Sequence, residues 1–465
     1  MKQLFPSAFV LRVTAAAALA LVLSACGSMA PDYQRPAAPV PAQLPAAGLT
    51  ASAGVAADVP WQSFFTDPNL HKLISLALAN NRDLRVALLN VEQARATVDV
   101  RKADRWPTLN AGLGLSRGTV SSGATTTSWN AGLLVSSYEL DLFDRLRSQS
   151  DAAFAQYLAT TEAGKTAQIS LIGSVANAYF ALQADAALLN LVQQTLKTRE
   201  ESLRLIQLRF DKGASSQLDL SQAQSLVEAA RVSLAQTTRL RLQDENALNL
   251  LLGQTAPAEL IQPGSLSTEP MAAVPIGLSS ELLLRRPDVA QAEQQLLAAN
   301  ANIGAARAAF FPKIALTASG GSVSSELDKL FGSGTFAWNL APQLLMPLFD
   351  KGRSEANLAS ARAAREVAVA QYEKAIQVAF REVADALAGR ATLADQFKAQ
   401  QAQTQAEAVR ARLVDLRYQN GASSYLEVLD AQRSLFAAQQ AELQLRAQVL
   451  QNQAALYRVM GGGWQ

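Results

Sequence analysis

Arg209-Phe210-Asp211-Lys212-Gly213-Ala214-Ser215-Ser216 recurs 208 residues later as Arg417-Tyr418-Gln419-Asn420-Gly421-Ala422-Ser423-Ser424. In both copies a glycine interrupts a long helical pattern, which resumes near Gln217 and Tyr425 and runs to about 251 and 459. Glycine supplies the backbone freedom for a tight helix-to-helix turn, so each octet reads as the tip of a long helical hairpin. Working outward, Leu142-Phe143-Asp144-Arg145-Leu146-Arg147-Ser148 matches Leu348-Phe349-Asp350-Lys351-Gly352-Arg353-Ser354, and Asp83 and Pro107 match Asp288 and Pro312. Ordered matches with slowly drifting offsets mean that one unit is present twice in tandem.

Each unit reads the same way. A first helix over about 67–104, or about 277–309, ends before Pro107 or Pro312, because proline breaks helices and extends the residue before it. Two period-2 segments follow, expected at about 108–117 and 129–140, then at about 312–322 and 335–346. Leu109, Ala111, Leu113 and Leu115 alternate with Asn110, Gly112, Gly114 and Ser116. Trp129, Ala131, Leu133 and Val135 alternate with Asn130, Gly132 and Ser136. About ten residues is the length of a tilted transmembrane strand, although the pattern alone serves a soluble hairpin equally well. From Ser148 to Arg209 the helical pattern is continuous, roughly 90 Å at 1.5 Å per residue. Such helices bury their apolar stripes only by packing side by side.

Composition agrees with long helices and excludes several functions. Hydrophobic residues make up 49% of 465 and aromatics only 6%, a mixture suited to helices rich in Ala, Leu, Gln and Arg. Net charge is +2, and two of the basic residues, Lys2 and Arg12, precede Cys26. Nucleic acid, which requires a basic field, is therefore a poor partner. One cysteine and one histidine leave no internal disulfide and almost no scope for a His/Cys metal site. A catalytic triad would have to use His71, which sits in the apolar stretch Leu70-His71-Lys72-Leu73-Ile74. An enzyme is not expected.

The N-terminus sets the compartment. Val13 to Leu23 has the length of a signal-peptide apolar region and is too short to span a membrane. It ends in Leu23-Ser24-Ala25-Cys26-Gly27, which matches the bacterial lipobox; the alternative is an ordinary signal peptide with an incidental cysteine. The match implies a diacylglycerol thioether on Cys26, cleavage before it and acylation of the new amine; beyond this covalent lipid no cofactor is expected. The expected organisation is a signal peptide over 1–25, a Pro/Ala/Gly-rich lipidated tether over 26–60, repeat 1 over 61–257, and repeat 2 with equatorial elements over 258–465.

Four strands cannot close a barrel, and free sheet edges are not tolerated in lipid. Closure must come from oligomerisation. A dimer gives eight strands with a filled interior, whereas a trimer gives twelve and a lumen. The lipobox, Pro31-Asp32-Tyr33-Gln34-Arg35-Pro36, the duplicated strand–helix unit and the two Gly-Ala-Ser tips together resemble the TolC-like outer membrane factors, in particular the OprM/NodT-type efflux lipoproteins. The resemblance covers about 30–460. It implies an α+β membrane protein: a homotrimer with a 12-stranded outer-membrane β-barrel, four strands per chain, continued by a long periplasmic α-helical barrel. It also implies a periplasmic adaptor (membrane fusion protein) and an inner-membrane pump, commonly of the resistance–nodulation–division type, as the energy source.

The resemblance assigns roles to residues. The tips, Arg209, Phe210, Gly213, Ala214 and Ser215 with Arg417, Tyr418, Gly421, Ala422 and Ser423, would dock the adaptor, although a tight turn alone explains their glycines. Leu426, Asp430 and Arg433 share one helix face by spacing and would line a periplasmic gate, where a trimer sets three carboxylates around one axis. Their other reading is a plain intrahelical pair. The first copy has Leu218, Gln222 and Ser225 at those places. Trp106, Trp129, Tyr138, Phe311, Phe336 and Trp338 flank the strands, as a membrane belt or as packing at strand ends. The function implied is the exit duct of a tripartite efflux system; the alternatives are a metal-efflux or type I secretion duct, or a lipid-anchored coiled-coil scaffold without a pore.

Overall fold

In a computed structural model of the chain, residues 28–45, 58–119, 121–262, 270–272 and 279–463 are described. The first copy runs α1 (Pro68–Asn80), α2 (Arg82–Ala103), β1 (Leu109–Thr119), β2 (Thr125–Leu140), α3 (Arg145–Asp211) and α4 (Gln217–Leu252). The second runs α5 (Pro287–Ala308), β3 (Lys313–Ser324), β4 (Phe336–Leu345), α6 (Arg353–Gln419) and α7 (Tyr425–Val459). α3 and α6 are each 67 residues long. The chain divides into two compact units, one of Met1–Ala37, Asn90–Thr161 and Gln291–Glu373, the other of Ala38–Leu89, Glu162–Ala290 and Lys374–Gln465.

The first unit holds one antiparallel sheet in the order β1-β2-β3-β4. Pairing sorts the side chains by face. Leu109, Val135, Ala318 and Leu340 lie in one cross-strand row, and Asn110, Leu134, Ser319 and Asn339 in the next. One face is thus mostly apolar and the other mostly Gly, Asn and Ser. The alternation of β2 changes phase after Val135, where Ser136 and Ser137 of β2 oppose Thr317 alone on β3. Ser137 takes a left-handed backbone there (φ 58°), and this bulge returns Tyr138 and Leu140 to the apolar face. A Cβ on Gly321 would lie 2.2 Å from the Ala131 carbonyl oxygen, so β2 and β3 approach too closely for any side chain. Among the described residues, β1 and β4 each have one edge without a partner strand, and Pro342 lies on β4 opposite Leu316.

The described part of the expected tether is not a free linker. The Met29 carbonyl accepts from Arg307 (3.1 Å) and the Pro31 carbonyl from Asn300 (2.7 Å). Tyr33 (3.0 Å) and Arg35 (2.7 and 2.9 Å) donate to Glu293. The segment is strapped antiparallel along α5 by side chains spaced about two turns apart. Composition misleads here because prolines keep a segment extended whether or not it is held.

In the second unit, the single helix expected over 67–104 is two. Asn81 is extended (ψ 130°), its Oδ1 accepts from Leu84 N (2.8 Å), and its Nδ2 donates to the Leu251 carbonyl in the last turn of α4 (2.9 Å). The second copy repeats the device 205 residues on with other chemistry. Arg286, extended before Pro287 (ψ 135°), donates to the carbonyl of Val459, the last residue of α7 (2.9 Å). Both breaks exist to cap a hairpin helix returning from the tip. Hydrophobic periodicity misses them because apolar spacing continues on both sides. α3 is the one helix among the described residues long and apolar enough to cross a membrane, but its Ile172, Val175, Ala176, Phe180 and Leu182 are buried, so protein packing uses that surface.

Candidate functional site

The two tips are built alike, hydrogen bond for hydrogen bond. Gly213 N donates to the Phe210 carbonyl (2.8 Å) and Ala214 N to that of Arg209 (2.7 Å); Gly421 and Ala422 bond Tyr418 (3.0 Å) and Arg417 (2.8 Å) in the same way. This is a Schellman ending with its glycine left-handed, φ 74° and 73°. Ser216 and Ser424 then open the next helices with capping boxes, paired with Asp219 and Glu427. The Ser216 hydroxyl and amide hold the Asp219 carboxyl below its ordinary pKa; the hydroxyl of Ser423 and the amide and hydroxyl of Ser424 do the same for Glu427. The pattern Ser-x-x-Asp/Glu in the sequence marks these boxes. It accounts for the recurrence of the second serine.

Beneath the tips lies a shared core. Ile206, Leu220 and Ala223 of the first hairpin pack with Tyr425, Val428 and Leu429 of the second, and Phe210 and Tyr418 close over them. The repeated aromatic is therefore a core residue. The two arginines diverge: Arg209 donates to the Tyr418 hydroxyl (2.6 Å) and lies 5.3 Å from its ring centroid, whereas Arg417 donates to the Ala422 carbonyl (3.0 Å). Gly213, Ala214, Gly421 and Ala422 remain exposed, a small-residue surface that a partner can approach closely.

Leu426, Asp430 and Arg433 lie on one exposed face of α7, with exposures of 53%, 52% and 55%. Arg433 approaches Asp430 at 3.8 Å. The stronger partner of Asp430 is Arg410 of α6, hydrogen-bonded through Nη2 and itself paired with Glu407 at 3.1 Å. Sequence reasoning missed Arg410. It lies ten residues before Asn420 and Asp430 ten after, the mirror positions of an antiparallel hairpin. The first copy is a different surface: Gln222 is half-buried with its Oε1 unpartnered.

Elsewhere, five of the six aromatics fall at two levels of the sheet. Trp129, Phe336 and Trp338 pair with residues near the far end of β3, while Tyr138, which donates to the Arg105 carbonyl (3.3 Å), and Phe311, stacked on Phe143 at 4.6 Å, mark the other end. Trp129 and Tyr138 pair with Ser324 and Leu316, eight residues apart on β3, or about 27 Å at a strand rise of about 3.4 Å per residue. Cys26 lies outside the described residues. His71 bonds through Nε2 to the Phe65 carbonyl and tilts against Trp61 at 5.3 Å, a packing role.

The family model for outer membrane efflux proteins matches residues 73–254 and 278–462, one match for each copy of the repeat. The toluene efflux pump outer membrane protein TtgC of Pseudomonas putida is 46% identical over 459 residues, covering 96% of this chain and 95% of the relative. The cation efflux system protein CusC of Escherichia coli O157:H7 is 44% identical over 453 residues, covering 96% and 98%. Among solved structures, the open state of the Neisseria gonorrhoeae MtrE outer membrane channel superposes with a TM-score of 0.86 at 39% identity, covering 94% of this chain and 99% of that one.

Proposed function

The chain belongs to the outer membrane efflux protein family, and from that premise we propose that three copies form the passive exit duct of a tripartite efflux system. The protein is an outer-membrane efflux channel that reaches into the periplasm. One observation carries the trimer reading: a four-stranded sheet with an apolar face and two unpaired edges. Three such sheets close into twelve strands around the Gly/Asn/Ser face, which removes every edge from lipid. The two aromatic levels suit the two membrane interfaces. A lipid on Cys26 would add an anchor to which the strapped segment leads.

The exposed tips, small and alike, suit an adaptor that contacts each hairpin by its turn. The Leu426, Asp430 and Arg433 face suits a periplasmic gate, with Arg410 as the tie that holds Asp430. An inner-membrane pump supplies the energy. The cargo reading is small organic molecules, as the name of the toluene relative suggests; a cation duct is the second reading, favoured by the near-equal identity to the cation relative.

Purified protein should migrate as a heat-modifiable trimer and conduct ions in planar bilayers. Neither a heat-modifiable species nor conductance at any voltage would leave only the scaffold alternative. Crosslinked pull-down from cells would then name the adaptor and pump.

A further inference from the structure

Arg199 of α3 is a buried cation that no gate or docking role uses. It is 7% exposed. Its Nη1 donates to the Leu226 carbonyl of α4 (3.1 Å), its guanidinium carbon lies 5.2 Å from the Phe436 ring centroid of α7, and its Nε is buried without a partner. No carboxylate among the described residues pairs with it, and its neighbour Glu200 is taken by Arg231 at 3.1 Å. A buried charge without a counter-charge is costly and persists where something else requires it.

The requirement comes from α7. Phe436 follows Arg433 by about one helical turn, so the ring on which Arg199 is seated is one turn from a second arginine. Burial first, and then the Arg433 charge, lower the Arg199 pKa from its ordinary value. Beside them, Asp430 is tied to Arg410. The gate face therefore has an attractive tie within its own hairpin and a repulsive neighbour on the other hairpin.

We propose that Arg199 is a positioning residue of the gate, a built-in repulsive element that biases α7 toward release while the Phe436 ring restrains it. This rests on reading Leu426, Asp430 and Arg433 as the lining of the aperture. Removing the charge relaxes α7 onto α3 and favours the closed aperture. Removing the ring leaves the charge unrestrained and favours opening. Two partners in one contact thus have opposite effects, which a contact serving only stability does not produce.

The experiment is planar-bilayer conductance of reconstituted, gel-verified trimers carrying Arg199→Met, Phe436→Leu or Asp430→Ala. Arg199→Met should lower open probability and raise thermal stability, while Phe436→Leu and Asp430→Ala should raise open probability, each by about fivefold, the lower end of a typical coupling. Should Arg199→Met fail to assemble, Arg199→Gln should lower conductance and Arg199→Lys, which keeps the charge, should not. If Asp430→Ala opens the channel while removal of the Arg199 charge leaves it unchanged or opens it, the repulsive role is wrong and the gate reading stands. If Asp430→Ala changes nothing, the gate reading fails and takes this inference with it.

Discussion

Arg286 illustrates how much one side chain can be asked to hold. Its side chain is 8% exposed and reaches Asp288 (2.7 Å), Glu382 (2.8 Å) and the last carbonyl of α7. Burial alone would discourage its charge, but the hydrogen bonds and charges of Asp288 and Glu382 outweigh it and hold the proton more tightly than usual. Asn81 performs the same capping in the first copy with one neutral amide. The two should differ in what their loss costs. Arg286→Ala strands two carboxylates and a carbonyl, so trimer stability should fall by about 3–5 kcal/mol. Asn81→Ala removes neutral hydrogen bonds and should cost about 1–3 kcal/mol. Denaturant melts of both variants read the difference, and equal losses would mean that the charge network contributes nothing beyond the cap.

At the scale of the element, each hairpin is a pair of long helices closed by one left-handed glycine. Gly421→Val forces a β-branched residue into φ 73°, costing about 1–3 kcal/mol locally. The turn is solvent-exposed and far in sequence from the strands, so membrane insertion should be normal while efflux in a susceptibility assay is lost. Normal efflux would mean that the turn is not where the adaptor docks. The first hairpin also carries a pH-dependent weakness. Burial first, and then Asp244, push the Asp185 carboxyl up to about 6, and burial raises Asp244 as well. An acid whose folded pKa is raised stabilises the fold fully below its unfolded pKa, near 3.9, and loses that contribution as pH rises through about 6. Thermal stability should therefore decline between roughly pH 4 and 6.5, and Asp185→Asn should flatten that decline and melt higher at pH 7.5 than the unmodified protein. An unchanged profile would show that the pair is fully solvated.

At the scale of the whole molecule, the four-stranded sheet is incomplete by itself, and the duplication doubles the strands without doubling the function. Both tips keep the Schellman turn, the capping box and the core aromatic. The charged Leu426–Asp430–Arg433 face exists only beside the second tip, and the buried Arg199 only in the first hairpin. The two halves are therefore alike in backbone and different in the charges they carry, which a duplicated gene product can reach by substituting side chains on a retained scaffold.

The duplication, the tips, the strand segments and the Leu426–Asp430–Arg433 face were legible in order and spacing, because local periodicity and turn chemistry depend on residues a few positions apart. What those features could not carry was pairing at a distance. The breaks at Asn81 and Arg286, the bulge at Ser137, the Arg410 tie, the Arg199 seat and the strap along α5 each depend on a partner tens to hundreds of residues away. A cap is needed only once a returning helix arrives, and a bulge only once the neighbouring strand sets the register. Sequence by itself determined the elements and their repetition; tertiary structure alone decided where they are interrupted, since an interruption satisfies a polar group that the rest of the fold brings to it.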